Sequence, residues 1–105
     1  PSIKVLLSVL NGSGASGVGK ESATRLQSIG IDVVHIGNAK HYDYKFTNIL
    51  YPAGEEMEKA ARTLARLAGI PENLVRTDTS TRHVTIIMGH DYLNVLKRIE
   101  LSRNR

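Results

Sequence analysis

The chain has 105 residues, with 14 Lys and Arg against 10 Asp and Glu, a formal net charge of +4 and a pI near 9.6. That length fits one domain with a modest core and is too short for a complete P-loop enzyme or a two-half dinucleotide-binding enzyme. The charge permits attraction to polyanions without choosing among nucleic acid, wall polymers and membrane headgroups, and part of it sits in the tail at Lys97, Arg98, Arg103 and Arg105. Cysteine is absent, which excludes disulfides and thiolate zinc sites. No stretch approaches the ~20 apolar residues of a membrane span, and no signal-peptide pattern is present. The chain begins at Pro1 without an initiator Met, which predicts an excised piece of a longer protein, with any membrane anchor outside it.

Residues 3–10 read as a strand that is apolar at Ile3, Val5, Leu7 and Val9 and partly apolar on its other face, through Leu6 and Leu10. Such a strand belongs in the middle of a sheet. A glycine-rich loop follows, and then a helix over residues 18–29 with Val18, Ser22, Leu26 and Ile29 on one face and Ser16 as the expected N-cap. Gly30-Ile31 has the form of a Schellman stop. Val33, Val34 and Ile36 carry a second strand, residues 38–45 a polar loop or hairpin tip, and residues 46–51 a third strand ended by Pro52 and Gly54. The pattern predicts a second helix over residues 55–68, with acidic residues in its first turn and arginines towards its end, as the helix dipole favours. Gly69-Ile70 repeats the earlier stop. Residues 72–83 form a polar connector with a short strand near Leu74 and Val75, and residues 84–88 a further strand. A final amphipathic segment, residues 92–101, carries Leu93, Leu96 and Ile99 and is expected to pack near a sheet edge or face.

The echo between RLQSIGI and RLAGI, together with the expected hairpin, predicts two similar halves. The fold expected is α+β: a βαββαβ ferredoxin-like sandwich with a four-stranded, mainly antiparallel sheet, two helices on one face and a C-terminal helix. One domain would span residues 1–105, with its core at 3–92 and a basic extension at 93–105.

The loop NGSGASGVGKE, residues 11–21, is the natural place to look for chemistry. Gly12, Gly14 and Gly17 match the dinucleotide fingerprint, and Gly14, Gly19 and Lys20 match most of a P-loop. Both matches fail in context. Glu21 stands where a P-loop needs Ser or Thr for magnesium, and its carboxylate would repel a triphosphate. Asp32 begins the second strand instead of ending it, out of place for ribose hydroxyls. A tight strand-to-helix turn explains the glycines more simply, and a small nucleotide- or phosphate-binding domain using Gly12 to Lys20 is the alternative. His35, His41, His83 and His90 show no paired ligand spacing, so no metal is expected. Gly14-Ala15-Ser16-Gly17 is one residue short of a nucleophile elbow. His90-Asp91 could make an acid–base pair, but Asp91 is better placed to cap the final helix. Tyr42 and Tyr44, set among Lys40, His41, Asp43 and Lys45, are the candidate surface aromatics; Phe46 and Tyr51 read as core. The first strand has no aromatic, against the pattern of an RNA-binding sandwich, and no nucleic-acid partner is expected.

Taken together, VLNGSGASGVGKESATRLQSIGIDVVHIGNA, Thr47, ILYPAG before an Ala-rich helix, and VTIIMGHDY resemble the LytR C-terminal domain. This is the accessory module often found behind the LytR–CpsA–Psr catalytic domain of bacterial envelope proteins. The resemblance runs from about Val5 to Tyr92, anchored by Val9 to Gly12, Gly17, Leu26, Gly30, Thr47, Gly89 and Asp91. It implies an extracytoplasmic, non-catalytic domain of the cell envelope with no cofactor, binding wall glycan, peptidoglycan or an associated polymer, or docking a neighbouring domain. None of the partner domain's catalytic residues has a counterpart here, and the label of transcriptional attenuator does not imply a DNA-binding fold. The candidate binding residues are Asn11, Gly12, Ser13, Gly14, Gly17 and Lys20 of the loop, with Tyr42 and Tyr44.

Overall fold

In a computed structural model, which describes residues 3–103, the chain runs β1 (Leu7–Asn11), α1 (Val18–Ser28), β2 (Val33–Asn38), β3 (Asn48–Tyr51), α2 (Glu55–Ala68), a 3₁₀ turn (Glu72–Leu74), β4 (Val75–Thr77), β5 (Val84–Met88) and α3 (Tyr92–Ser102). Pro1 and the tail residue Arg105 lie outside the described residues. The short strand expected in the connector is β4.

Each of the first two helices returns the chain parallel to the strand it left. β1 pairs with β2, Val9 opposite Ile36, and β3 pairs with β4, Ile49 opposite Val75. β5 then enters between the two units, parallel to β1 and antiparallel to β3. The sheet has five strands in the order β2-β1-β5-β3-β4. The expected four-stranded, mainly antiparallel ferredoxin-like sheet is therefore corrected to a mixed sheet in which three of the four pairings are parallel. The cause is the segment 39–47. A hairpin there would turn back along β2, but the segment instead crosses the C-terminal ends of β1 and β5 and starts β3 on the far side. The repeated Gly-Ile stop does mark two equivalent βαβ units, each closed on itself as a parallel pair instead of interleaved with the other. β1 is an interior strand, paired on both sides, as its two apolar faces require. The edges are unequal: β2 has six residues and β4 three.

Both stops are Schellman motifs. At Gly30, φ is 90°, and Ile31 N–H donates to Leu26 O at 3.1 Å. At Gly69, φ is 72°, and Ile70 N–H donates to Ala65 O at 2.8 Å. Gly is required at both because other residues strain in the left-handed region. The isoleucines that follow are buried and point each exit into the core. The N-termini differ from expectation. Gly17, not Ser16, occupies the α1 cap position, and no side chain caps the helix.

All three helices cover one face of the sheet. Leu7 and Val9 of β1, Ile49 of β3, and Val84, Ile86 and Met88 of β5 meet Leu26, Leu64 and Ile99 of the helices in one core. Burial of each large aliphatic side chain stabilises by about 1.5–3 kcal/mol. α3 packs against both α1 and α2. It buries Val95, Leu96 and Ile99, whereas Leu93 is 70% exposed. Positions 92, 95, 96 and 99 follow the helical period and Leu93 is out of phase with them. Among the described residues no helix lies over the opposite face of the sheet, with Ser8, Leu10, Leu50, Thr85 and Ile87.

One buried network ties β3 to the β5–α3 turn. Asp91 stands at the N-cap position of α3, but its carboxylate does not cap the helix. It accepts from Thr47 N–H at 2.9 Å and Thr47 Oγ1–H at 2.7 Å, while Thr47 Oγ1 accepts from Gly89 N–H at 3.0 Å. Thr47 is 1% exposed, so an unmet partner here keeps its full desolvation penalty. Thr47→Val preserves shape and removes two of these bonds. It should lower stability in urea by about 1–3 kcal/mol with an unchanged m-value. The exposed Thr24→Val should stay within about 0.5 kcal/mol of wild type, and equal midpoints for the two variants would contradict this account.

Candidate functional site

The loops that follow β1, β2 and β5 meet at the C-terminal end of these parallel strands. Asn11, the last residue of β1, organises the first of them. Its Oδ1 accepts from Ser13 N–H at 2.9 Å and Ser13 Oγ–H at 2.7 Å, and its Nδ2 donates to Ala15 O at 2.8 Å. Ser13 Oγ in turn accepts from Ala15 N–H at 3.1 Å, and Gly12 N–H donates to Met88 O at 2.8 Å. The N–H groups of residues 12, 13 and 15 are thus engaged within the fold. A phosphate would have to displace these bonds to be cradled there.

The segment 39–47 lies directly on this loop. Ala39 N–H donates to Asn11 O at 2.9 Å, and Tyr44 N–H to Gly12 O at 3.2 Å. On its other side Tyr44 O accepts from His90 N–H at 2.7 Å. The His90 ring reaches Tyr42 O from Nε2 at 2.7 Å, and a carbonyl can only accept, so Nε2 carries the proton. His41 stacks on Tyr44, ring centroids 4.5 Å apart and planes 10° from parallel. His41 Nδ1 accepts from Asp43 N–H at 3.1 Å. A Cβ at Gly12 would come within 2.6 Å of the Tyr44 ring and 2.9 Å of Ile87, and one at Gly14 within 3.2 Å of Tyr42 Cβ. The glycine loop and the tyrosine segment, separate candidates in the sequence, form one continuous surface. Tyr42 is 48% exposed on it, whereas Tyr44 is half-buried. Gly17 and Lys20 lie further along, both exposed at the start of α1. His90 and Asp91 do not face one another as an acid–base pair, since each is engaged elsewhere. Among the described residues no group of three or more His, Asp or Glu is arranged to hold a metal.

Residues 4–92 match the family model for the LytR cell envelope-related transcriptional attenuator, LytR_C. The chain belongs to this family. The match ends where α3 begins. The fold of this LytR_C domain is similar to the soluble domain of a conserved hypothetical secreted protein from Mycobacterium marinum (the Rv2700 ortholog). The TM-score is 0.63, with 14% identity over 95% of this chain and 85% of that one. At that identity the likeness is one of fold alone. No curated protein matches the chain.

The LytR_C domain also carries a cleft that its sequence does not announce. It spans about 540 Å³ over the helix-free face of the sheet. Tyr44 and Lys40 stand on one wall, and the strand β4 with the turn that follows it on the other. Arg76, Arg82 and His83 line it from a segment the sequence shows only as a polar connector. A readable signal was there: hydroxyl residues at Ser8 and Thr85 interrupt otherwise apolar strands at alternate positions. Asp78, in the same wall, accepts from Ser80 Oγ–H at 2.6 Å and Ser80 N–H at 2.9 Å. These two bonds, and then Lys40 and Arg76 nearby, hold its carboxyl below the usual range, so it is anionic at neutral pH.

The packing of the glycine loop separates two classes of variant. Gly12→Ala forces its methyl against Tyr44 and Ile87 and should cost about 1–3 kcal/mol in chemical denaturation. Lys20→Ala should change stability by no more than about 0.5 kcal/mol. A nucleotide bound by this loop at ~100 times its dissociation constant would stabilise the domain by about 2.7 kcal/mol. ATP and NAD should produce no such shift in melting temperature. A shift of that size, abolished by Lys20→Ala, would restore the phosphate reading.

Proposed function

We propose that this LytR_C domain is a non-catalytic, extracytoplasmic accessory module of the bacterial cell envelope. It binds wall glycan, peptidoglycan or an attached polymer. The observation that carries this reading is the platform made by Tyr42, Tyr44 and His41 on the glycine loop. Hydrogen bonds with Asn11, Gly12 and His90 fix the backbone of this segment, and the His41 stack further holds the Tyr44 ring before any ligand arrives. Preorganisation of this kind limits the ordering cost of binding. Sugar rings stack on such faces through their C–H groups, and Lys40 and Lys45 beside them attract anionic groups within about a Debye length, ~8 Å at physiological salt. Gly14 leaves exposed backbone next to Tyr42 for further polar contact. The nucleotide alternative has less support, because the Asn11–Ser13 network engages the N–H groups of residues 12, 13 and 15 and Glu21 stands where a P-loop needs a magnesium-binding hydroxyl.

Purified peptidoglycan sacculi should pull the domain down, and a Tyr42→Ala, Tyr44→Ala double variant should weaken capture while keeping a cooperative unfolding transition. Salt should weaken capture only in part if stacking contributes, and nearly completely if charge alone holds the complex. Absence of capture at low salt, from sacculi with and without attached polymers, would discard polymer binding and leave docking of a neighbouring envelope domain.

A further inference from the structure

We propose that the helix-free face of the sheet is a groove for an extended polyanion: a glycopolymer with repeating phosphate or carboxylate groups that runs from the Tyr44 wall to β4. The inference deepens the envelope reading by naming the ligand's charge and a second surface, and it rests on that reading only for where the polymer comes from.

The groove is recessed. Among the described residues no helix covers this face, yet Thr85 and Ile87 on its floor are only 6% and 4% exposed, because the segments 39–44 and 77–83 rise on either side. Leu10, Leu50 and Ile87 give the floor an apolar surface, with the hydroxyls of Ser8 and Thr85 between them. A sugar backbone, apolar on its ring faces and polar at its rim, suits such a floor.

The charges are one-sided. Lys40 lines the groove from the 39–47 segment and Arg76 and Arg82 from β4 and the turn after it, with His35 and His83 among them. Of the 10 acidic residues of the chain only Asp78 lines it, so three cations face one carboxylate and the lining is net positive. In the helical layer three arginines are paired with carboxylates: Arg25 with Glu21, Arg62 with Glu58 and Glu72, and Arg103 with Glu100. Among the described residues no ion pair involves Lys40, Arg76 or Arg82. Arg76 has a single long contact, 3.5 Å to the neutral Asn48 Oδ1. Cations on both walls, Lys40 on one and Arg76 and Arg82 on the other, fit repeated charges along a chain. The guanidinium fork takes phosphate or carboxylate oxygens in pairs.

The test uses the whole chain and four fluorescent oligomers of matched length: a polyol phosphate, a polyuronate, neutral dextran and single-stranded DNA. Wild type should bind the phosphate or the uronate oligomer, and which of the two it prefers identifies the source of the anion. Arg76→Gln with Arg82→Gln removes two exposed cations. It should weaken that binding by roughly tenfold or more and reduce the log–log salt slope by about two. Lys59→Gln with Lys97→Gln, exposed cations of the helical layer, should leave both quantities near wild type. Equal loss in the two double variants, no loss in either, no binding of any oligomer, or preference for DNA over both glycopolymers would overturn the proposal. Sacculus capture unaffected by Arg76→Gln and Arg82→Gln, without oligomer binding, would sink the groove and keep the envelope reading. Oligomer binding by a wild type that ignores sacculi would do the reverse.

Discussion

The peptide of Tyr44 lies between the ends of β1 and β5, bonded to Gly12 on one side and to His90 on the other. Much of the remaining architecture follows from this crossing. In open α/β sheets the crevice outside the carboxyl ends of adjacent parallel strands is where ligands bind. Here the segment 39–47 crosses that crevice and packs on the glycine loop. The same crossing places β3 beyond β5, so that β3 must run antiparallel to it. It also raises one wall of the cleft on the helix-free face.

The crossing depends on small residues and on full polar satisfaction. A Cβ at Gly89 would come within 2.6 Å of the Phe46 backbone, and one at Gly12 would strike the Tyr44 ring. Asn11 and Asp91 terminate or follow the neighbouring strands β1 and β5, and both turn their side chains to backbone N–H groups of adjoining segments. Among the described residues no buried side-chain nitrogen or oxygen lacks a partner. A polar network in this state specifies one arrangement strongly, since loss of any member strands another.

The sequence makes the local elements legible and leaves their pairing hidden. The α2 stripe, both Gly-Ile stops and the interior position of β1 can be read from periodicity, because each is determined by a few neighbouring residues. The choice between a hairpin and a crossing at residues 39–47 depends on Gly12, Gly89 and His90, all far away in the chain. Asp91 looks like a helix cap by position, but Thr47 competes for it with two donors. In α3 the apolar set is broad enough that Leu93 and Val95 cannot be ranked until the neighbouring helices fix the phase. The tyrosines and the glycine loop are each visible in the sequence, whereas their contact is not. The cations of the cleft escape notice because Lys40, Arg76 and Arg82 come from segments that only the strand order brings together.

The two margins of the sheet are unequal in a way that gives it a direction of growth. β4 offers a partner three residues of ladder, and β2 offers six. Val34 and Ile36 of β2 are 50% and 47% exposed, and no proline interrupts the strand. Short edges, charges and bulges are the usual means of blunting such a margin. The register irregularity opposite Leu7 and Ser8 is the one such device on this side, and it lies near the start of the strand. Any extended segment that zips onto this domain, from another molecule or from elsewhere in its own polypeptide, therefore gains most of its backbone bonds along the last residues of β2. That places it next to the tyrosine platform.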